Sequence, residues 1–214
     1  DATATYDVAT DLGTLADNLT ISGTIAGSNI STINLGNHQG ITISGNNSLT
    51  LEDVKVTSKE TVVNAESKNA QTTLNNAQIE GNIVNSGNLT LEGNTNTTNI
   101  SGTGSTVVKT SAEIKISSLT QNTLSNSGNL TADKLAISTS ATNSGTLTNN
   151  GTSSISALTN NAGAIINGNG SLTLSGTSSN KGSITQKNLI ISGTATQGVS
   201  TYALRNRAVT GGSL

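Results

Sequence analysis

One four-residue phrase recurs along this chain from end to end. It reads Asn18-Leu-Thr-Ile, Gly40-Ile-Thr-Ile, Ser48-Leu-Thr-Leu, Asn88-Leu-Thr-Leu and Ser171-Leu-Thr-Leu, with weaker copies at Asn129, Thr146 and Ser183. A polar residue, an aliphatic, a Thr and a second aliphatic alternate with period two, the pattern of a half-buried strand. The spacing predicts that Leu19, Ile21, Ile41, Ile43, Leu89, Leu91, Leu172 and Leu174 point inward, and that the Thr between each pair points out. A second marker recurs at Asn126-Ser-Gly, Asn143-Ser-Gly, Asn161-Ala-Gly and Asn180-Lys-Gly, in steps that lengthen slightly toward the C-terminus. An earlier copy, Asn85-Ser-Gly, precedes Asn126 by close to two such steps. A drifting period near 20 marks stacked coils rather than a globular core.

Composition supports stacking. The 214 residues include no Pro, Cys, Met, Trp or Phe, and Ser, Thr and Asn together make up 94 of them. A compact domain leans on large aromatic side chains for its core, and these are missing. A solenoid needs only a few aliphatics per coil, because the stack makes the core continuous. Charged residues are 10%, too few for a charge-rich disordered chain. The expected fold is all-β: a single parallel β-helix of nine to ten coils of about 20 residues, forming a rod roughly 45 Å long at ~4.8 Å per coil.

Three segments are expected. Residues 1–17 read as an entry strand or cap, with a possible helical turn over 11–17. Residues 18–200 read as the solenoid, with a loop or widened coil over 54–79 where charge is denser. Residues 201–214 read as a last coil or tail. No run of apolar residues is long enough to cross a membrane. Charge is uneven. Residues 1–54 hold six acids and no Lys or Arg, while residues 134–214 hold five bases and no acid, which in a rod becomes an axial gradient.

Chemistry is sparse. The single His, His38, sits in a Gly-flanked turn, and its nearest acid in sequence is Glu52. No thiol exists, and no Ser stands out as a nucleophile. Glu52 and Asp53 are adjacent and should point to opposite sides of a strand. The remaining carboxylates are spread over several coils, unlike the paired acids of a glycosidase. A basic stripe and stacking rings for nucleic acid are also lacking. No catalytic, cofactor or metal residue is expected. The Asn-x-Ser/Thr triplets are as frequent as the composition dictates. The Asn of the second marker, Asn126, Asn143, Asn161 and Asn180, are expected to form a structural ladder at a corner, where Asn tolerates the left-handed backbone and its amide bonds to the next coil.

Phrases such as Asn85-Ser-Gly-Asn-Leu-Thr-Leu-Glu-Gly and Asn143-Ser-Gly-Thr-Leu-Thr-Asn-Asn-Gly resemble the passenger domains of bacterial autotransporters and related large surface adhesins. The resemblance spans most of residues 18–200. It implies a right-handed parallel β-helix, exported to the extracellular face of the bacterial surface as a fragment of a longer passenger. The work it implies is adhesion to a host receptor or glycan, self-association with another copy into aggregates or biofilm, or, less often, toxin or protease activity; the sparse chemistry of the residues favours the non-catalytic forms. On that reading some of Thr20, Thr42, Thr90, Thr131 and Thr173 form part of an outward polar adhesive face. Two alternatives stand beside it, a polysaccharide-binding or polysaccharide-degrading β-helix and an ice-binding solenoid. The phrase threonines stand at 20, 42, 50, 90, 131, 148, 173 and 185, and these uneven steps argue against the flat regular array that ice requires.

Overall fold

Thr, Ile, Val and Leu alternate with polar residues and no proline interrupts them, so strands dominate and every turn is made by Gly, Asn, Ser or Asp. The computed structural model describes residues 3–27 and 29–198 and the backbone of 205–208. Its strands form one parallel β-solenoid of about nine turns, with no helix among the described residues. The sole antiparallel pairing among them is a short hairpin, Ile25–Ala26 against Asn29–Asn34.

Each coil passes through three strand stacks, here named faces A, B and C in chain order. In the second coil they are Asn29–Asn34, Ile41–Ile43 and Ser48–Glu52. The strand Thr5–Asp7 pairs with face A, Gly13–Thr14 with face B and Leu19–Ser22 with face C. Residues 5–22 therefore make a first coil in the same register as the rest. A strand stands where the sequence suggests a helical turn over 11–17. Residues 201–204 and 209–214, most of the expected tail, lie outside the described residues.

Coil length changes along the rod. On face A, Ile33, Val56 and Ile79 stack at long sequence steps, whereas Ile116, Ala132 and Asn149 stack at markedly shorter ones. The widened coils over 54–79 come from the long strand Val54–Ala65, whose register slips against Gln78–Asn85. Later coils are so tight that Glu113–Asn126 and Asn129–Asn143 stay extended around the corners.

The inner columns form one apolar core. On face C one column reads Leu49, Thr72, Leu89, Thr106, Leu124, Ala141, Leu158. Large and small side chains alternate in it, so no Leu of this run stacks directly on another. The alternation makes room for the neighbouring column, where Leu51, Leu74 and Leu91 follow one another, and the core fills without overpacking. Of the eight residues expected inside, Ile41, Ile43, Leu89, Leu91, Leu172 and Leu174 are buried. Leu19 and Ile21 also point inward, stacked on buried Leu49 and Leu51, but Leu19 is 37% exposed and Ile21 only half-buried, because the first coil has no described neighbour on its outer side.

Candidate functional site

The phrase threonines do not form one face. Thr20 and Thr90 lie outward on face C, Thr42 and Thr173 on face B, and Thr131 on face A. The variable coil length shifts each phrase around the rod, so equal phrases occupy unequal positions.

A continuous rank nevertheless exists, drawn from residues that the phrase alone does not select. Along the outside of face C the register runs Thr20, Thr50, Thr73, Thr90, Val107, Ser125, Thr142, Thr159, Ser179, Thr196, one residue per coil. All of these are half-buried or exposed. Two residues earlier in each strand lies a second outward rank that includes Ser48, Gln71, Asn88, Ser105, Thr123 and Ser140. Neither rank holds a charge. The other faces are mixed. Face A reads Thr32, Lys55, Gln78, Asn96, Lys115, Thr131, Thr148, Asn167, and Lys55 there bonds Glu80 at 2.6 Å. The middle of face B includes Thr120, Ala136 and Ser154, followed by Thr173 and Ile190. The first three line a shallow groove of about 400 Å³ with Asn122, Ser138 and Ser175, a surface also free of charge.

The Asn ladder forms inside face C, one residue out of the expected phase at one rung. Asn126 Nδ2 donates to Asn143 Oδ1 at 2.8 Å, Asn143 to Asn160 at 2.9 Å, Asn160 to Asn180 at 2.7 Å, and Asn180 to Gln197 Oε1 at 2.8 Å. The third rung is Asn160, not Asn161. Asn161 has turned outward and its amide donates to Ser144 Oγ. The turn here carries two extra residues and bends through a left-handed glycine, Gly163 at φ +81°, so the Asn-x-Gly marker picks the wrong Asn. Asn126, Asn143 and Asn160 each donate also to a carbonyl at the start of the face A strand that follows the next rung (Thr146, Ile165 and Ser183). Four buried amide nitrogens are thus paired, as burial requires.

Asn85 belongs to a different device. It lies at the end of face B, because the interval from Asn85 to Asn126 spans two coils and a further face. Its Nδ2 reaches two coils up to Gln121 Oε1 at 2.7 Å, and Gln121 Nε2 returns to the Asn85 carbonyl at 3.2 Å. The rung between them is Gly102, at φ +118°, where any Cβ would collide with that same carbonyl. The arrangement repeats on face A, where Asn149 Nδ2 bonds Gln186 Oε1 at 2.8 Å across Gly168, at φ +116°. The sequence signal is an Ile-x-Gly-x-Gly-Ser hexapeptide at 100–105 and again at 166–171, with Asn about one coil before and Gln about one coil after. Both clasps tie coils together inside the rod and offer nothing to a ligand.

The titratable residues are scattered. His38 Nδ1 stands 3.5 Å from Asp11 Oδ1, a partner from the preceding coil; Asp11 also accepts from the Gln39 N–H. Glu52 accepts from Asn75 Nδ2 at 3.0 Å, and Asp53, held at φ +52° in the corner, accepts from Asn76 Nδ2 at 3.1 Å. These carboxylates tie coils together through amides. Among the described residues no three His, Cys, Asp or Glu side chains gather as a metal-ligand set. Compared with known proteins, the chain matched no family model, no curated protein and no solved structure.

Proposed function

We propose that this chain is a non-catalytic stalk of a bacterial cell-surface adhesin, exported to the extracellular side, and that face C is its contact surface. One observation carries the reading. The outward rank of face C is Thr or Ser at every one of ten consecutive rungs except Val107, while the equivalent ranks of faces A and B are mixed. β-propensity alone would favour Thr equally on all three faces. A flat, uncharged rank of hydroxyls at strand spacing suits a neutral partner that also repeats, either a neutral glycan or the same face of a second copy. Each hydroxyl hydrogen bond contributes only about 1 kcal/mol net. Many in register act as a multivalent array, so affinity comes from length rather than from one pocket.

Replacing Thr73, Thr90, Thr142 and Thr159 together by Val removes hydroxyls and keeps shape. In cells displaying the chain, aggregation and adhesion fall with this variant. They stay unchanged when Thr131, Thr148 and Thr173 on faces A and B are replaced instead. Equal loss from both sets, or from neither, contradicts the proposal. The regular spacing of face C also favours a second reading, ice binding, despite the irregular sequence steps. Thermal hysteresis in a purified sample, lost in the face C variant, would select it.

A further inference from the structure

Face C carries a third outward rank along its edge with face A, two residues beyond the hydroxyl rank on each rung. It passes through Glu52, Asn75 and Glu92 to Lys109, then through Ser127 to Lys181. Its acids stand on the early rungs and its bases on the late ones. The switch falls between neighbours. The Lys109 N–H donates to the Leu91 carbonyl, which places Lys109 one rung beyond Glu92. Glu92 is half-buried and Lys109 exposed, and neither forms an ion pair among the described residues. The opposite edge of face C, toward face B, is uncharged at the same height, where it holds Ser86, Thr103 and Asn122.

The same height holds the one break in the hydroxyl rank. Val107 registers with Thr90, so the outward pair Thr90 and Val107 stands beside the pair Glu92 and Lys109. An outward valine adds nothing to a solvated polar rank. In a dry contact it is an apolar centre within a polar surround, the usual anatomy of an interface. The hydroxyls on either side both donate and accept. A rank of them therefore complements a copy of itself, as a two-fold contact requires.

We infer that the partner of face C is a second copy of the chain, lying antiparallel on it about a two-fold axis that passes between the Thr90 and Val107 rungs. The inference rests on the reading of face C as a contact surface and adds the partner, its direction and its register. In an antiparallel pair the two edges toward face A meet each other. Glu92 of each copy then faces Lys109 of the other, and each Val107 packs on the Thr90 methyl across the axis. In a parallel pair that edge would instead lie on the uncharged edge toward face B, leaving Glu92 and Lys109 without partners. The antiparallel register overlaps the rungs from Thr20 to Thr159, with Thr50 opposite Thr142 and Thr73 opposite Ser125. At strand spacing the overlap is about 38 Å by ~17 Å, or roughly 1,300 Å² buried over both copies, enough for a specific interface.

The test is sedimentation velocity of the purified 214-residue chain over a concentration series. The unaltered chain forms a dimer. Glu92→Lys alone and Lys109→Glu alone each weaken it by about tenfold or more in dissociation constant, because each change turns two attractions across the axis into two repulsions. An equimolar mixture of the two variants regains association, and so does the chain carrying both changes, since acid again faces base. A misfolded variant could not be rescued by mixing. Direction is read by oxidation, as the chain has no cysteine of its own. Thr50→Cys mixed with Thr142→Cys gives a covalent dimer, whereas either alone does not, its own copies lying about five rungs, or ~24 Å, apart. A monomer at millimolar concentration overturns the inference, and so does association that both charge reversals leave unchanged. A covalent dimer from Thr50→Cys alone marks a parallel pair and overturns it too. The readings fail separately: if the purified chain stays monomeric while the face C valine variant still loses adhesion, this inference falls and the contact role of face C stands.

Discussion

Face C changes chemistry halfway along its inner side and stays constant on its outer side. In the first half the inner column is Ile21, Leu51, Leu74, Leu91 and Val108; from there the same positions are Asn126, Asn143, Asn160, Asn180 and Gln197. Two different solutions thus close the same corner. Aliphatic side chains stabilise by leaving water, without direction. Amides stabilise only as a chain, each satisfied by the next, and the chain needs an end. That end is visible: Asn126 Oδ1 is buried without a partner where the ladder meets Val108. The outer rank carries hydroxyls on both sides of this boundary, and its one exception, Val107, stands at the boundary rung itself. The interior tolerates a change of chemistry that the surface does not make, which separates a scaffold requirement from a surface requirement.

The sharpest way to break the contrast is to exchange one chemistry for the other. Leu91→Asn puts an amide between Leu74 and Val108, where no ladder exists to receive it. It is expected to cost about 4 kcal/mol, from lost apolar burial plus an unpaired polar group. In a one-dimensional stack the damage is local, so chemical denaturation should become biphasic and amide exchange should quicken first around the coils holding Leu74 and Val108. A single transition at unaltered denaturant would contradict the assignment of Leu91 to the core.

Breaking the ladder is expected to cost less. Asn143→Ala leaves Asn160 Oδ1 without its donor and removes one acceptor from Asn126, about 3 kcal/mol by equilibrium unfolding. Asn161→Ala is its control, and is expected to change stability by less than about 0.5 kcal/mol because the side chain lies on the outside. The opposite ranking of the two would restore the phase that the Asn-x-Gly marker suggests. The smallest effect has the opposite sign. Thr106 and Thr72 are buried among aliphatics with hydroxyls that bond to nothing. Thr106→Val keeps the shape and is expected to stabilise by about 1 kcal/mol, raising the melting temperature by roughly 3 °C.

Much of the fold is legible in the sequence, because period-two phrases punctuated by Asn and Gly leave few architectures open. Leu89, Leu91, Leu172 and Leu174 are core for the reason their alternation suggests. What the sequence conceals is angular position. Strand steps on face A shorten along the rod, so a phrase at 40–43 faces B, one at 88–91 faces C and one at 129–132 faces A. No local pattern carries that running sum. The same loss explains Thr42, Thr131 and Thr173, which share a phrase with Thr90 but not a surface, and Asn85, which shares a triplet with Asn126 but clasps Gln121. Asp11 and His38 are separated by a full coil of sequence and meet only through stacking. Asn160 is hidden by two extra turn residues.

The central claim is that face C carries one outward residue per coil in unbroken register, a hydroxyl at every rung but Val107, whatever phrase each belongs to. The chain contains no cysteine, so introduced pairs report on it without interference. Thr73→Cys with Thr90→Cys joins register partners of adjacent coils, whose Cα separation at strand spacing suits a disulfide. Thr90→Cys with Thr131→Cys joins equivalent phrase positions on faces C and A. Mild oxidation is expected to close the first pair within the monomer, read as a mobility shift under non-reducing electrophoresis, and to leave the second pair as free thiols. Closure of the second pair with the first left open would show that the phrase, and not the register, defines the face, and would contradict the account.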